Sequence, residues 1–441
     1  MSARYLRFVL AVSFLASSFL SGVSVCQAQS ATKVSEPAIS NPAVPSSQTP
    51  TPDAESSPAD AGSQLPSGTS GPSVAPTPVI PAPIPAISTP VSTARTTSSR
   101  NNNSSFSPRL ARAAPIMGDT LSPSLVVVDE FGEPLQEVPL GGGATRSKIA
   151  ENSSSLPMDR LIFNYNHFEN AIDDAPGQAT NIDRFTVGFE RTFLDQLASI
   201  EVRFPFVLDN DFSVPGDFTR NGSDAGNLSV TLKGVLASDN DRLFAAGLTI
   251  DTPTAGNTVL LDEGLANPLT IDISNEAVHL APFLGFLCAP NNTHTHQGFI
   301  QLDVATNPNT LTFSDISGTN TAELLEQTLL YIDYQFTTEF YHAGRRSRSG
   351  RDIHRVLGLA ELHYTTTLED AEQVASGTAA NPLFELTSAG NRLDVVNLTL
   401  GLHTEFSCGT QLRLGAVAPI SDDDNRFFDF EFQAQLNFLL R

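Results

Sequence analysis

The carboxyl-terminal end of the chain alternates apolar and polar residues over an unusual length. From Phe428 to Leu440 the even-numbered positions are apolar, and the positions between them are mostly polar or charged. Side chains on a strand point alternately to opposite faces, so this segment has one apolar and one polar face. Its length is close to the roughly 9–11 residues that a tilted strand needs to cross a bilayer. The pattern therefore predicts a strand whose apolar face meets lipid.

The same alternation recurs in eleven earlier segments, each bounded by turn residues. With the last one, the predicted strands are 160–168, 183–192, 197–206, 227–237, 242–251, 276–287, 296–306, 327–340, 354–366, 393–406, 410–420 and 427–440. Long and short connections largely alternate between them, as in outer-membrane barrels with long outer loops and tight periplasmic turns. We therefore predict an all-β fold, an antiparallel up-and-down transmembrane β-barrel of about 12 strands over residues 160–441. A secreted, soluble β-sandwich that acts as a binding module is the alternative, because it also has many short strands.

The region before the predicted barrel divides into three parts. Residues 1–28 have the charged start, short apolar run and small-residue end of a secretory signal peptide. Residues 29–115 are rich in Pro, Ser, Thr and Ala, which predicts a disordered tether. Residues 116–159 form a transition segment that leads into the first strand. An export signal followed by a barrel predicts the outer membrane, with its lipid as a partner and the cell wall within reach of the tether.

Composition and motifs exclude several functions. The net charge of −23 argues against a nucleic-acid partner, because a surface that binds phosphates must be basic. No nucleophile motif is present, and the His294–His296 pair lacks further ligands at a fixed spacing, so we predict no catalytic residue, no metal site, no cofactor and no enzyme activity. The sequence leaves open whether Cys288 and Cys408 form a disulfide in the exported protein.

The phase of each predicted strand assigns its side chains to lipid or to the lumen. The predicted lipid-facing residues of the last strand are Phe428, Phe430, Phe432, Leu436 and Phe438. The predicted lumen-lining residues are Arg184, Glu190, Glu201, Arg203, Lys233, Asp303, Asp333, Glu361, His363, His403, Glu405, Arg413, Asp429 and Glu431. Acids outnumber Lys and Arg in this set, which favours cations in an open pore, whereas pairing of opposite charges would give a closed interior.

Two stretches are similar to a known family. Residues 147–170, SKIAENSSSLPMDRLIFNYNHFEN, and residues 183–206, DRFTVGFERTFLDQLASIEVRFPF, resemble the start of a family of bacterial outer-membrane β-barrel proteins. That family is mostly uncharacterised and porin-like or transporter-like, and the resemblance covers about residues 145–441. It implies a barrel of this size and passive transport, and it carries over no catalytic residue.

These observations lead to one expected function and one alternative. We expect a passive channel or transporter for small solutes or ions, in which solutes diffuse through a charged lumen. The alternative is a barrel without a channel that tethers envelope layers through its amino-terminal arm.

Overall fold

The computed structural model describes residues 106–440 apart from gaps at 120, 129–133, 176–177, 209–211, 214–217, 263–267, 317, 345–351, 376–384, 389–391 and 422–424. The predicted signal peptide and most of the predicted tether lie outside the described residues. Within them, no helix is both long enough and apolar enough to cross a membrane.

The described residues form 22 β-strands and two short 3₁₀ turns, Leu110–Arg112 and Leu140–Gly143. In chain order the strands are β1 (Leu125–Val128), β2 (Pro134–Val138), β3 (Arg160–Ala175), β4 (Gln178–Phe193), β5 (Ala198–Leu208), β6 (Phe212–Ser213), β7 (Phe218–Asn221), β8 (Leu228–Ser238), β9 (Arg242–Thr252), β10 (Thr258–Asp262), β11 (Leu269–Ile273), β12 (His279–Cys288), β13 (His294–Ala305), β14 (Asn309–Asp315), β15 (Gly318–Leu324), β16 (Leu329–His342), β17 (Ile353–Thr367), β18 (Gln373–Ala375), β19 (Glu385–Ser388), β20 (Asp394–Phe406), β21 (Thr410–Pro419) and β22 (Phe430–Leu439).

Twelve antiparallel strands close into one barrel, which confirms the predicted fold class. They are β3, β4, β5, β8, β9, β12, β13, β16, β17, β20, β21 and β22, each paired with the next along this series. Closure is made by β22 and β3, where Phe430 pairs with Glu169 and Leu439 with Arg160. The barrel therefore has no free edge, as a sheet in lipid requires. A soluble sandwich is not the architecture of these twelve strands.

The outer face of the barrel is apolar on every strand. Each strand exposes at least one large apolar side chain, and one from each is Leu161, Phe189, Phe204, Leu232, Phe244, Leu284, Ile300, Ile332, Leu362, Leu400, Leu414 and Phe432. Their strand neighbours point inward and are polar or charged at many positions. This surface would be costly in water and is the one that a lipid-embedded barrel presents.

The two ends of the barrel differ. At the short-turn end, tight connections join neighbouring strands, such as Leu194–Gln196, whose three residues all have positive φ angles of 51° to 69°. At the long-loop end, the connections carry most of the remaining strands and form a cap together with β1 and β2. The cap holds a six-stranded sheet, β15-β14-β11-β10-β7-β6, and a four-stranded sheet, β18-β19-β1-β2.

The two cap sheets share one apolar core. Val127 and Leu386 from the four-stranded sheet cluster with Leu260, Ile271 and Phe313 from the six-stranded sheet, and all five side chains are buried. Strands β1 and β2 precede the barrel in sequence, yet β1 pairs with β19 from the loop between β17 and β20. The segment before the barrel is therefore built into the cap at the long-loop end.

Candidate functional site: a plugged lumen

The chain before β3 crosses the barrel lumen twice. We call residues 106–119 the first pass and residues 139–156 the second pass, and together they form the plug. The first pass begins at the short-turn end, where the Ser107 hydroxyl donates to the main-chain oxygen of Asn240 at 2.5 Å, and rises towards the cap. After the β1–β2 hairpin, the second pass descends again towards the start of β3.

Residues 106–115 belong to this plug, although their composition placed them in the tether. The apolar side chains of Phe106, Leu110 and Ala113 explain the difference, because they cluster with Leu243 and Leu287 of the barrel wall. Residues 106–115 are therefore part of the plug and not of the tether. The transition segment is likewise inside the lumen, a placement that no periodic pattern in it indicated.

All twelve strands of the wall bind the plug through at least one hydrogen bond or ion pair. Most of the plug residues are buried, including Ala114, Ile116, Met117, Ala150 and Asn152, each of which is completely inaccessible to solvent. The two passes also bind each other, because Ile116 N–H donates to Ser153 O at 2.7 Å and Asn152 N–H donates to Met117 O at 3.1 Å. The described lumen is thus filled by the protein's own chain.

Lys148 of the second pass lies at the centre of an ionic cluster. Its ammonium is 2.5 Å from an Asp119 oxygen and 2.7 Å from an Asp333 oxygen. The imidazole of His363 lies 2.7 Å from the same Asp333 oxygen and 3.1 Å from a Glu361 oxygen. Charge-assisted hydrogen bonds of this kind are strong in a buried site. The cluster joins both passes to β16 and β17.

Asp119, Asp333 and His363 are also grouped closely enough to hold a metal ion. The Lys148 ammonium contacts both carboxylates in the position where a cation would neutralise them. A metal ion would have to displace a buried positive charge, so the residues present fit the lysine better than a metal.

A second ionic cluster surrounds Arg146. Its guanidinium donates to Glu326 at 3.0 and 2.8 Å, and to the main-chain oxygen of Gln327 at 2.9 Å. Burial raises the pKa of Glu326, but Arg146 and His279 outweigh that effect and hold the pKa well below its usual range. The Arg146–Glu326 ion pair therefore joins the cap-side end of the second pass to the connection before β16.

A third cluster lies deeper in the lumen around Asn152. Its side-chain oxygen accepts hydrogen bonds from Arg160 at 3.0 Å and from Arg413. Arg160 also reaches Glu190 and Glu201 at 2.8 and 2.9 Å. Asn152 adopts a φ of 45°, which asparagine tolerates better than most residues. Arginines from β3 and β21, the two strands that flank β22, therefore meet on one plug residue.

The structure places twelve of the fourteen predicted lumen-lining residues in the buried interior. They are Arg184, Glu190, Glu201, Arg203, Lys233, Asp303, Asp333, Glu361, His363, His403, Arg413 and Glu431. Glu405 is only half-buried and lies 3.1 Å from Arg355 near the short-turn end. Asp429 lies elsewhere: it precedes β22, is exposed at the loop rim and pairs with Arg426 at 2.9 Å.

The predicted lipid-facing residues of the last strand divide into three groups. Phe430 and Phe432 are exposed on the outer face, and Phe438 is half-buried there with its ring edge-on to Phe163 at 5.8 Å. Leu436 has the same phase, but its neighbours leave only 2% of it exposed. Phe428 differs from the prediction, because β22 begins only at Phe430. It lies on the interior side, where its ring centroid is 5.3 Å from that of Phe168.

Sequence reasoning missed several interior charges. Arg160, Asp251, His279 and Arg355 lie buried on the wall, and Asp119, Arg146, Lys148 and Glu151 lie buried on the plug. The alternation of β3 could have identified Arg160, since Ile162, Asn164 and Asn166 share its face. The charged residues of the plug gave no such signal, because polar and apolar positions do not alternate in a segment that contacts the wall on all sides. Cys288 is a free thiol, so it does not pair with Cys408.

Comparison with known proteins adds the following. No protein-family model matches the chain, and no curated protein matches its sequence. Among solved structures, an outer membrane channel from Pseudomonas putida F1 has 9% identity over 65% of this chain and 96% of that chain, with a TM-score of 0.41. The NanC porin has 7% identity over 64% and 99%, with a TM-score of 0.35. The β-domain of the Bordetella autotransporter BrkA has 13% identity over 65% and 100%, with a TM-score of 0.38.

These likenesses are distant and say nothing further about this chain. Its class rests on its own features: twelve strands closed without an edge, an apolar side chain exposed on every strand, and a polar interior. The protein is an outer-membrane β-barrel.

Proposed function

We propose that the barrel is a passive channel for small solutes or ions whose lumen is held shut by the plug. The observation that carries the proposal is the polarity of the interface between plug and wall. A permanent seal would be expected to use apolar packing throughout. Here apolar contacts are grouped in small clusters, such as those around Leu243 and Phe283, and hydrogen bonds and ion pairs link the plug to the rest of the wall. Such a wall can hold water and ions once the plug moves.

The charges of the wall bear on selectivity. The deeply buried charged residues of the barrel strands are the bases Arg160, Arg184, Arg203, Lys233, Arg355 and Arg413 and the acids Glu190, Glu201, Asp251, Asp303, Asp333, Glu361 and Glu431. The excess of acids expected from the sequence is smaller in this set, since it gains Arg160, Arg355 and Asp251 and leaves out Glu405 and Asp429. We therefore propose a weakly selective channel rather than a cation pore.

A barrel without a channel is the second candidate. The plug enters from the short-turn end and continues into the cap, and buried ion pairs fix its second pass to the wall and to the connection before β16. This arrangement would suit a barrel that anchors its amino-terminal arm to the outer membrane. The cell wall would then be the partner of the arm.

Planar-bilayer recordings of the full-length protein distinguish the two candidates. Arg146→Gln removes the ion pair to Glu326 at the top of the second pass. Arg191→Gln is the matched control, because that arginine has 64% of its side chain exposed outside the lumen. A channel predicts rare conductance steps in the native chain and in the control, and frequent steps in Arg146→Gln. An assembled Arg146→Gln barrel that never conducts would reject the channel in favour of the anchor.

A further inference from the structure

The wall binds one short stretch of the plug through its main chain. Four glutamine amides donate to four carbonyl oxygens of the first pass: Gln297 to Ala114, Gln335 to Pro115, Gln435 to Met117 and Gln433 to Gly118. The last three distances are 3.0, 2.8 and 2.7 Å. The glutamines come from β13, β16 and β22, so the contacts surround the stretch.

Glu361 on β17 completes this recognition. One carboxylate oxygen accepts the N–H of Met117 at 2.9 Å, and the other accepts the N–H of Gly118 at 3.0 Å. Two successive N–H groups on one buried carboxylate form a strong, bidentate contact. Pro115 has no N–H that would need a partner. Main-chain groups are common to all peptides, so these contacts are open to any peptide that adopts the same main-chain conformation.

Three side-chain features narrow the sequence that fits. Gly401 and Gly415 are cross-strand neighbours and leave a slot for Met117, since a Cβ on either would lie 2.8 or 2.7 Å from its sulfur. Ile116 sits in an apolar cluster with the rings of Phe283 and Phe299. Gly118 has a φ of +83°, and a Cβ there would lie 2.7 Å from the Glu151 Cα.

We propose that this part of the lumen is a peptide-binding site, that residues 113–119 are its tethered occupant, and that short peptides are a solute class that the barrel takes up. This proposal rests on the proposed channel in one respect, because a free peptide must be able to reach the lumen. The preferred ligand is extended, with proline, an aliphatic residue, a long unbranched residue and glycine in succession. A free peptide then competes with the first pass for the same wall.

Binding of a fluorescent peptide to the detergent-solubilised full-length protein tests the proposal without measuring conductance. The probe is Ala-Ala-Pro-Ile-Met-Gly-Asp, the sequence of residues 113–119. Met117→Asp introduces a carboxylate beside Glu361 and so displaces the tethered occupant. We expect saturable binding, measured by fluorescence anisotropy, that is at least tenfold tighter for Met117→Asp than for the native chain. Met117→Ala, which only empties the slot, replaces it if the aspartate variant does not assemble.

The chain supplies a matched control peptide. Residues 81–87, Pro-Ala-Pro-Ile-Pro-Ala-Ile, contain the same Ala-Pro-Ile sequence but place Pro85 at the position of Met117. Proline has no N–H for Glu361, so this peptide should bind at least tenfold more weakly than the probe. When Glu361→Ala is added to the Met117 variant, the affinity for the probe should fall to the affinity for the control peptide.

The outcomes separate this proposal from the channel. Absence of probe binding, or equal binding of probe and control, overturns the peptide site even if the Arg146→Gln barrel conducts. Binding that depends on Glu361 supports the peptide site even if that barrel is silent.

Discussion

Replacing Lys148 by methionine tests whether the ionic cluster holds the plug in place. Methionine keeps the length of the side chain but removes its charge and its hydrogen bonds to Asp119 and Asp333. Both carboxylates are almost completely buried, with 2% and 0% of their side chains exposed. The variant therefore leaves two acids close together in the lumen with one imidazole, that of His363, at 3.4 Å from Asp119 and 2.7 Å from Asp333.

The expected effect follows from the cost of breaking a buried ion pair. Removing one partner of such a pair costs about 3–5 kcal/mol, because the remaining charge is buried without compensation. At about 1.4 kcal/mol for each factor of ten, the ratio of closed to open channels should fall by roughly 10²- to 10⁴-fold. The lost stability belongs to the plugged state only, since a released plug exposes the same groups to water.

Single-channel recordings of Lys148→Met measure this ratio as the open probability. The double variant Lys148→Met/Asp333→Asn is the control, because asparagine removes one uncompensated charge and keeps an oxygen for His363. It should recover part of the loss, as expected for two groups that interact directly. An assembled Lys148→Met barrel with the open probability of the native chain would refute the role of the cluster, as would a double variant that opens more often than the single one.

Two further predictions concern the wall. Phe432→Arg places a charge on the outer face of β22, where Phe432 is 38% exposed. A charge on the lipid face near the midplane destabilises the inserted barrel by about 2–4 kcal/mol, so this variant should assemble poorly. Glu431→Gln on the inner face should assemble normally. The shift in gel mobility on heating measures assembly, and equal shifts for both variants would contradict the assigned phase. Gly401→Val fills the slot of Met117 and should raise the open probability, whereas Gly234→Val, at a position with no atom within 4 Å of a Cβ, should leave it unchanged. Equal open probabilities of the two glycine variants would contradict the role of the Gly401–Gly415 slot in holding Met117.

The barrel was predictable from the sequence because lipid and lumen impose opposite chemistry on alternate residues. All twelve predicted strands are present, and most of their ends agree within three residues. The strand predicted at 160–168 extends to Ala175 because it continues into the hairpin with β4. The phase of each strand also placed Arg184, Glu361 and Arg413 on the inner face without any structural information.

The plug and the cap were not predictable on the same basis. Residues 139–156 contact wall or cap on every side, so polar and apolar positions follow no period there. Lys148 resembles any lysine of a flexible segment until its two partners, Asp119 and Asp333, are brought together by the fold. The cap strands are short, and β1 pairs with a segment about 260 residues away, which no local pattern can indicate.

A reversible crosslink between plug and wall tests the central claim most directly. A Cβ on Gly415 would lie 2.7 Å from the sulfur of Met117, so Met117→Cys and Gly415→Cys place one thiol on each side of this contact. Both are added to Lys148→Met, and the current is recorded before and after a reductant is added. We predict a closed barrel when the disulfide is formed and frequent openings once it is reduced. Equal currents in the oxidised and reduced states, with the disulfide verified by mass spectrometry, would show that the plug does not gate the lumen.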